Sequence, residues 1–142
     1  MNNNCVFCKI AAGEIPSFTI YEDEEFKVFL DISPATRGHM LVIPRTHCAD
    51  IFEIDAGMCA RLHKLTVAMA ARIRGALNTD ALNVLQNNGP LAGQTVRHYH
   101  VHLIPRYEND GADLIPAQTE VSGSALAELA EKLRRPLPGG HQ

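Results

Sequence analysis

Three histidines, His98, His100 and His102, stand at alternate positions in the run His98-Tyr99-His100-Val101-His102-Leu103-Ile104. A β-strand sends successive side chains to opposite faces and rises about 3.3 Å per residue. Read as a strand, the run places all three imidazoles on one face, with Tyr99, Val101 and Leu103 on the other. The outer two then lie about 13 Å apart, too far to share one metal ion at Zn–N bonds of about 2 Å. His100, flanked by imidazoles on both sides, is placed to act as a base, a nucleophile or an anion binder. A single histidine on an apolar strand is ordinarily a hydrogen-bonded core or edge residue. Three on one face need polar partners if they are buried, which favours function. His100 and His102, about 7 Å apart at Cα, could instead share a catalytic metal. No HExxH pattern accompanies them and no third ligand is evident.

A second constellation is Cys5-Val6-Phe7-Cys8, a C-x-x-C that commonly forms half of a zinc site. A redox role would call for a strand-to-helix setting within a βαβ pattern, which the sequence does not display. His47 and His98 are candidates for the other half. A tetrahedron of Cys5, Cys8, His47 and His98 would leave no coordination position open and would be structural. The alternative is two free thiols near a frayed terminus. Cys48 points away from His47 if the strand continues. Cys59, on a long helix, reads as a small buried residue. The loop Asn87-Asn88-Gly89-Pro90-Leu91-Ala92-Gly93-Gln94-Thr95 leads into the histidine run. Its glycines allow positive φ and close backbone approach, so its N–H groups could cradle an anion.

The elements that must position these residues follow from pattern. Phe18–Tyr21 and Phe26–Asp31 read as strands around the acidic turn Glu22-Asp23-Glu24-Glu25, and Gly38–Pro44 as a strand closed by proline. Asp55 N-caps a helix to about Leu77, with Met58, Leu62, Leu65, Met69, Ile73 and Leu77 as its core stripe. Leu82–Gln86 and His98–Arg106 read as further strands, and Ser124–Arg134 as a helix capped by Ser124 with Leu126, Leu129 and Leu133 on one face. Short turns favour antiparallel pairing. The expected fold is α+β: an antiparallel sheet of about five strands with one long helix and a C-terminal helix. Residues 1–135 are expected to form a single domain, and the Pro- and Gly-rich residues 136–142 a disordered tail. The chain has 142 residues, 46% apolar, and a formal net charge of −3. That charge gives no footing for nucleic acid or an anionic membrane. No basic-then-apolar N-terminal signal and no run of about 20 apolar residues is present, so a cytoplasmic, reducing setting is expected.

The run Gln94–Ile104 resembles the histidine triad (HIT) signature, His-φ-His-φ-His-φ-φ. The segments CVFCKIAAGEIPS, FLDISPATRGHMLVIPRTH and LQNNGPLAGQTV are similar to the bacterial HIT pattern, in the same order, over roughly residues 5–107. The resemblance implies a homodimer with a sheet continued across the interface and a nucleotide site on each protomer. It implies hydrolysis or transfer at the α-phosphorus of a purine nucleotide, with His100 forming a nucleotidyl-histidine that water cleaves. His102 would contact the phosphate or leaving group, and Thr95 the phosphate or leaving-group atom. His39 matches a further histidine near the site. Asn87, Gly93, Gln94 and Thr95 match the phosphate loop, and Asp31 the carboxylate that grips the ribose. Phe7, Ile10, Phe29 and Ile32 match the apolar slot around the base. Cys5, Cys8, His47 and His98 match the structural zinc ligands of a subset of bacterial members.

Two features depart from one branch of that family. The chain has no tryptophan, whereas the phosphoramidase branch carries a Trp-containing C-terminus. Arg106, in Ile104-Pro105-Arg106, resembles the dinucleoside-polyphosphate branch. The leaving group is therefore either an amine or a second nucleotide. The rival to an enzyme is a dimeric purine-nucleotide sensor or adaptor. Retention of His100 with Thr95 and Asn87 favours the enzyme.

Overall fold

The computed structural model describes residues 4–138. Helix α1 spans Val6–Ala11 and α2 Ala56–Leu77; strands β1 to β5 span Thr19–Glu22, Phe26–Leu30, Met40–Pro44, Leu82–Gln86 and Val101–Pro105; α3 spans Gly123–Arg134. Two compact units result, one ending at Ala112 and one beginning at Asp113. The second contains α3, whose N-cap is Ser122, not Ser124: the Ser122 hydroxyl accepts from the Ala125 N–H. Of the expected tail, residues 139–142 lie outside the described residues.

In the first unit the strands form one antiparallel sheet in the order β1-β2-β3-β5-β4. Its two faces are separated by strand alternation. Phe26, Val28, Met40, Val42, Val101 and Leu103 are buried on one face with Leu62, Met69 and Ile73 of α2. Met58, Leu65 and Leu77 pack against the same cluster, so the whole expected stripe of α2 is used. Asp55 caps α2 by accepting from the Met58 N–H at 2.8 Å, and Asn78 ends it in the left-handed conformation at φ 53°.

The other face carries α1. Phe29, Leu41 and Ile43 are buried with Cys5, Phe7, Cys8, Ile10 and Ala11. Pattern reading left α1 out because six residues are too few for a helical period to show. Its first turn is closed by a thiol: the Cys8 N–H lies 3.4 Å from the Cys5 sulfur. Buried Lys27 of β2 then ties α1 to the sheet, donating to the Ile10 carbonyl at 3.0 Å.

The histidine strand is shorter than expected. Ladder pairing starts at Val101, which faces Val42 on β3 and Gln86 on β4. His98 and His100 precede it because their backbones are committed elsewhere. The Tyr99 N–H donates to the Cys48 carbonyl, and the His98 carbonyl accepts from the His100 ring. The alternation nevertheless persists: Tyr99, Val101 and Leu103 lie in the α2 cluster.

Candidate active site and metal cluster

His100 projects beneath α1. Its Nδ1 lies 2.7 Å from the His98 carbonyl, which can only accept, so Nδ1 carries the proton and Nε2 the lone pair. Phe7 packs edge-on against the ring at a centroid distance of 5.0 Å and against Phe29 at 5.6 Å. His100 is buried, and burial lowers its pKa below the usual imidazole value. A neutral imidazole with a fixed tautomer is a competent nucleophile.

His102, on β5 opposite Leu41, stacks near His100 at a ring distance of 4.8 Å. Its proton is placed by a chain of hydrogen bonds. The Ala35 N–H donates to His39 Nδ1 at 2.9 Å, so His39 holds its own proton on Nε2. His39 Nε2 lies 2.9 Å from His102 Nδ1 and donates to it. The remaining proton of neutral His102 is therefore on Nε2. Burial, then the neighbouring His100 and His39, push the His102 pKa down to about 4. Asp31, His39 and His102 offer three donor atoms close enough for a metal. However, the two facing nitrogens of this group already share a proton, which argues against a catalytic ion there.

A recess of about 470 Å³ opens in front of these rings. Of the expected nucleotide contacts, Phe7, Ile10, Phe29, Asp31, Ile32, Thr95, His100 and His102 line it. Ile15, Pro16, Leu41 and Val96, which sequence reading did not single out, add apolar wall. Asp31 holds the Ser33 N–H with one oxygen, leaving the other 3.7 Å from His39 Nε2. His39, Asn87, Gly93 and Gln94 stand outside the lining. Gln94 is buried and holds the loop in shape. It donates to the Ala49 and Val96 carbonyls and accepts from the Gly89 N–H and Arg97. Gly93 has φ 92° and approaches Asn87, so glycine is required there. Arg106 is also outside the lining: it bonds Asp110, Asn83 and the Ala112 carbonyl.

Behind His100 lies the second constellation. The ligand atoms of Cys5, Cys8, His47 and His98 all fall within 4.8 Å of one another. His98 Nε2 donates to the Pro44 carbonyl at 2.7 Å, so its Nδ1 carries a bare lone pair. Burial pushes the His98 pKa down to about 4, which keeps the ring neutral. Three groups converge on that lone pair: Cys5 sulfur at 3.3 Å, Cys8 sulfur at 3.5 Å and His47 Nδ1 at 3.2 Å. One lone pair cannot accept three hydrogen bonds. A tetrahedral ion with Zn–N of about 2.0 Å and Zn–S of about 2.3 Å has N···N edges of about 3.3 Å and N···S edges of about 3.5 Å. The donor set and its spacing fit such an ion. Cys48 takes no part; burial and nearby carboxylates push its pKa up to about 11.

Known proteins share this pattern. The HIT domain family model matches residues 12–109. The protein named hit of Bacillus subtilis is 49% identical over 109 residues, covering 76% of this chain and 75% of that one. The adenosine 5′-monophosphoramidase HNT1 of Saccharomyces cerevisiae is 41% identical over 139 residues, covering 95% and 84%. Among solved structures, a Zn-bound histidine triad family protein from Mycobacterium smegmatis aligns with TM-score 0.74 at 37% identity, covering 91% and 97%. Matched across most of its length in sequence and in fold, the chain belongs to the HIT domain family.

Proposed function

We propose that the protein is a nucleotide hydrolase or transferase acting at the α-phosphorus of purine nucleotides through a nucleotidyl adduct on His100. The observation that carries this reading is the 2.7 Å bond from His100 Nδ1 to the His98 carbonyl, which leaves Nε2 as the nucleophile on the recess. In this scheme Nε2 forms the N–P bond as the bond to the leaving group breaks. His102 Nε2–H supplies the proton an amine leaving group needs, and His39 is a positioning residue that keeps that proton on the outer nitrogen. Water then cleaves the N–P bond and regenerates the imidazole. Thr95 hydrogen-bonds the phosphoryl oxygens, Asp31 takes the ribose hydroxyls, and Phe7, Ile10, Phe29 and Ile32 enclose the base. The family and the phosphoramidase name of one relative support this class of reaction.

Cys5, Cys8, His47 and His98 hold a structural zinc, which fixes the first turn of α1 and the backbone that carries His100. The two halves of the active chain form a homodimer. The exposed Val84 and Leu85 on β4, a terminal strand of the sheet, support pairing through that edge. No helix among the described residues is long and apolar enough to cross a membrane. The reduced cysteine cluster suits a cytoplasmic setting.

The test is intact-protein mass spectrometry of a quenched reaction with adenosine 5′-phosphoramidate. The wild type is expected to gain the mass of an AMP adduct, and His100→Ala neither adduct nor turnover. Turnover retained in His100→Ala refutes the nucleophile. Binding without turnover in the wild type supports a nucleotide sensor instead.

A further inference from the structure

The recess in front of His100 does not end at Thr95. Val6, Thr95 and Val96 also wall a second recess of about 260 Å³, whose remaining lining includes His47 and Arg97. Thr95 is exposed at this shared rim. Arg97 is the permanently charged side chain among the described lining residues. It is held by two contacts. One nitrogen lies 3.2 Å from Asp50, and another donates to Gln94 at 3.2 Å. Asp50 is itself fixed, buried and accepting from the Phe52 N–H. The guanidinium is thus oriented, yet its side chain stays 54% exposed. A guanidinium has five N–H donors, and these contacts engage two of its nitrogens.

We propose, resting on the nucleotidyl-transfer reading above, that the second recess is the leaving-group subsite. It takes an anionic leaving group, a phosphate or sulfate oxyanion, with Arg97 as its specificity-determining residue. The chemistry of departure separates the two classes of substrate. An amine leaves with the electron pair of its P–N bond and needs a proton, which His102 supplies. A phosphate or sulfate leaves with the electron pair of its P–O bond and needs positive charge. In both cases His100 Nε2 gains the bond to phosphorus that the leaving group loses. Placing a cation beyond Thr95, opposite the nucleotide recess, puts it on the side from which such a group would depart.

The test compares three substrates that share one adenylyl half: adenosine 5′-phosphoramidate, adenosine 5′-phosphosulfate and diadenosine tetraphosphate. For whichever anionic substrate the wild type turns over, Arg97→Ala should lower kcat/KM relative to the phosphoramidate by about tenfold, the order of one partly screened charge-assisted hydrogen bond. Arg97→Lys should recover most of that ratio. The two anionic arms distinguish a sulfate from a polyphosphate. A ratio unchanged within about twofold, or an equal loss in Arg97→Lys, overturns the assignment of charge to Arg97. Wild-type turnover of the phosphoramidate with neither anionic substrate overturns the subsite and leaves the histidine chemistry standing. Turnover of none of the three overturns the underlying reading as well.

Discussion

The His39–His102 contact carries a quantitative expectation. Replacing His39 with Ala removes the N–H that His102 Nδ1 accepts at 2.9 Å. His102 then loses the partner that keeps its proton on Nε2, and a half-buried acceptor is left without its donor. Leaving such a group unsatisfied costs about 1–2 kcal/mol, which corresponds to roughly a 5- to 30-fold loss of rate if it is felt in the transition state. The loss should depend on the leaving group. Adenosine 5′-phosphoramidate needs the His102 proton; a p-nitrophenyl ester of AMP, whose leaving group departs as a stable anion, does not. Steady-state kcat/KM for both substrates should therefore show the full loss on the first and about twofold on the second. His39→Gln, which can present an amide N–H near the position of Nε2, should recover much of the phosphoramidate rate. Because His39 is buried, its removal also leaves a cavity, so thermal unfolding is measured alongside. An equal loss on both substrates refutes the proton-placement argument, since a merely structural defect would not discriminate between leaving groups.

Two further expectations concern the metal cluster and the ribose contact. Cys8→Ser should lower zinc content, measured by elemental analysis, and reduce Tm by about 10–20 °C. A metal present at about a thousand times its Kd contributes roughly 4 kcal/mol, and 1 kcal/mol moves Tm by several degrees in a domain of this size; wild-type protein purified without chelators and free of zinc would contradict the assignment. Asp31→Ala should weaken AMP by roughly 30-fold, about 2 kcal/mol for the carboxylate oxygen not held by Ser33, while inorganic phosphate binding stays within about twofold. Equal losses by calorimetry would place Asp31 away from the ribose.

Much of this site is legible in a one-dimensional string because its chemistry is short-range. Alternation alone separates His98, His100 and His102 from Tyr99, Val101 and Leu103, and the structure keeps the latter three in the α2 core. The α2 stripe and its Asp55 cap are likewise set by helical period and by an unpaired backbone N–H, both local properties. The spacing of Cys5 and Cys8 announces half a donor cluster before any fold is known.

Other features exist only once the chain is folded. Cys5 and His98 are 93 residues apart, and only the packing of α1 on the sheet brings them to 3.3 Å. The proton on His102 is placed by Ala35 and His39, which lie on a different stretch of chain, so no motif could assign its tautomer. Gln94 sits in the loop that the pattern marks for phosphate, yet its amide is spent on Ala49, Val96, Gly89 and Arg97, because a buried amide must satisfy its own hydrogen bonds first. The start of β5 at Val101 was decided the same way: the His98 carbonyl and the Tyr99 N–H found partners outside the ladder. Residue type and spacing are set by local chemistry. Which donor meets which acceptor across the sheet is set by burial, and burial is a property of the whole fold.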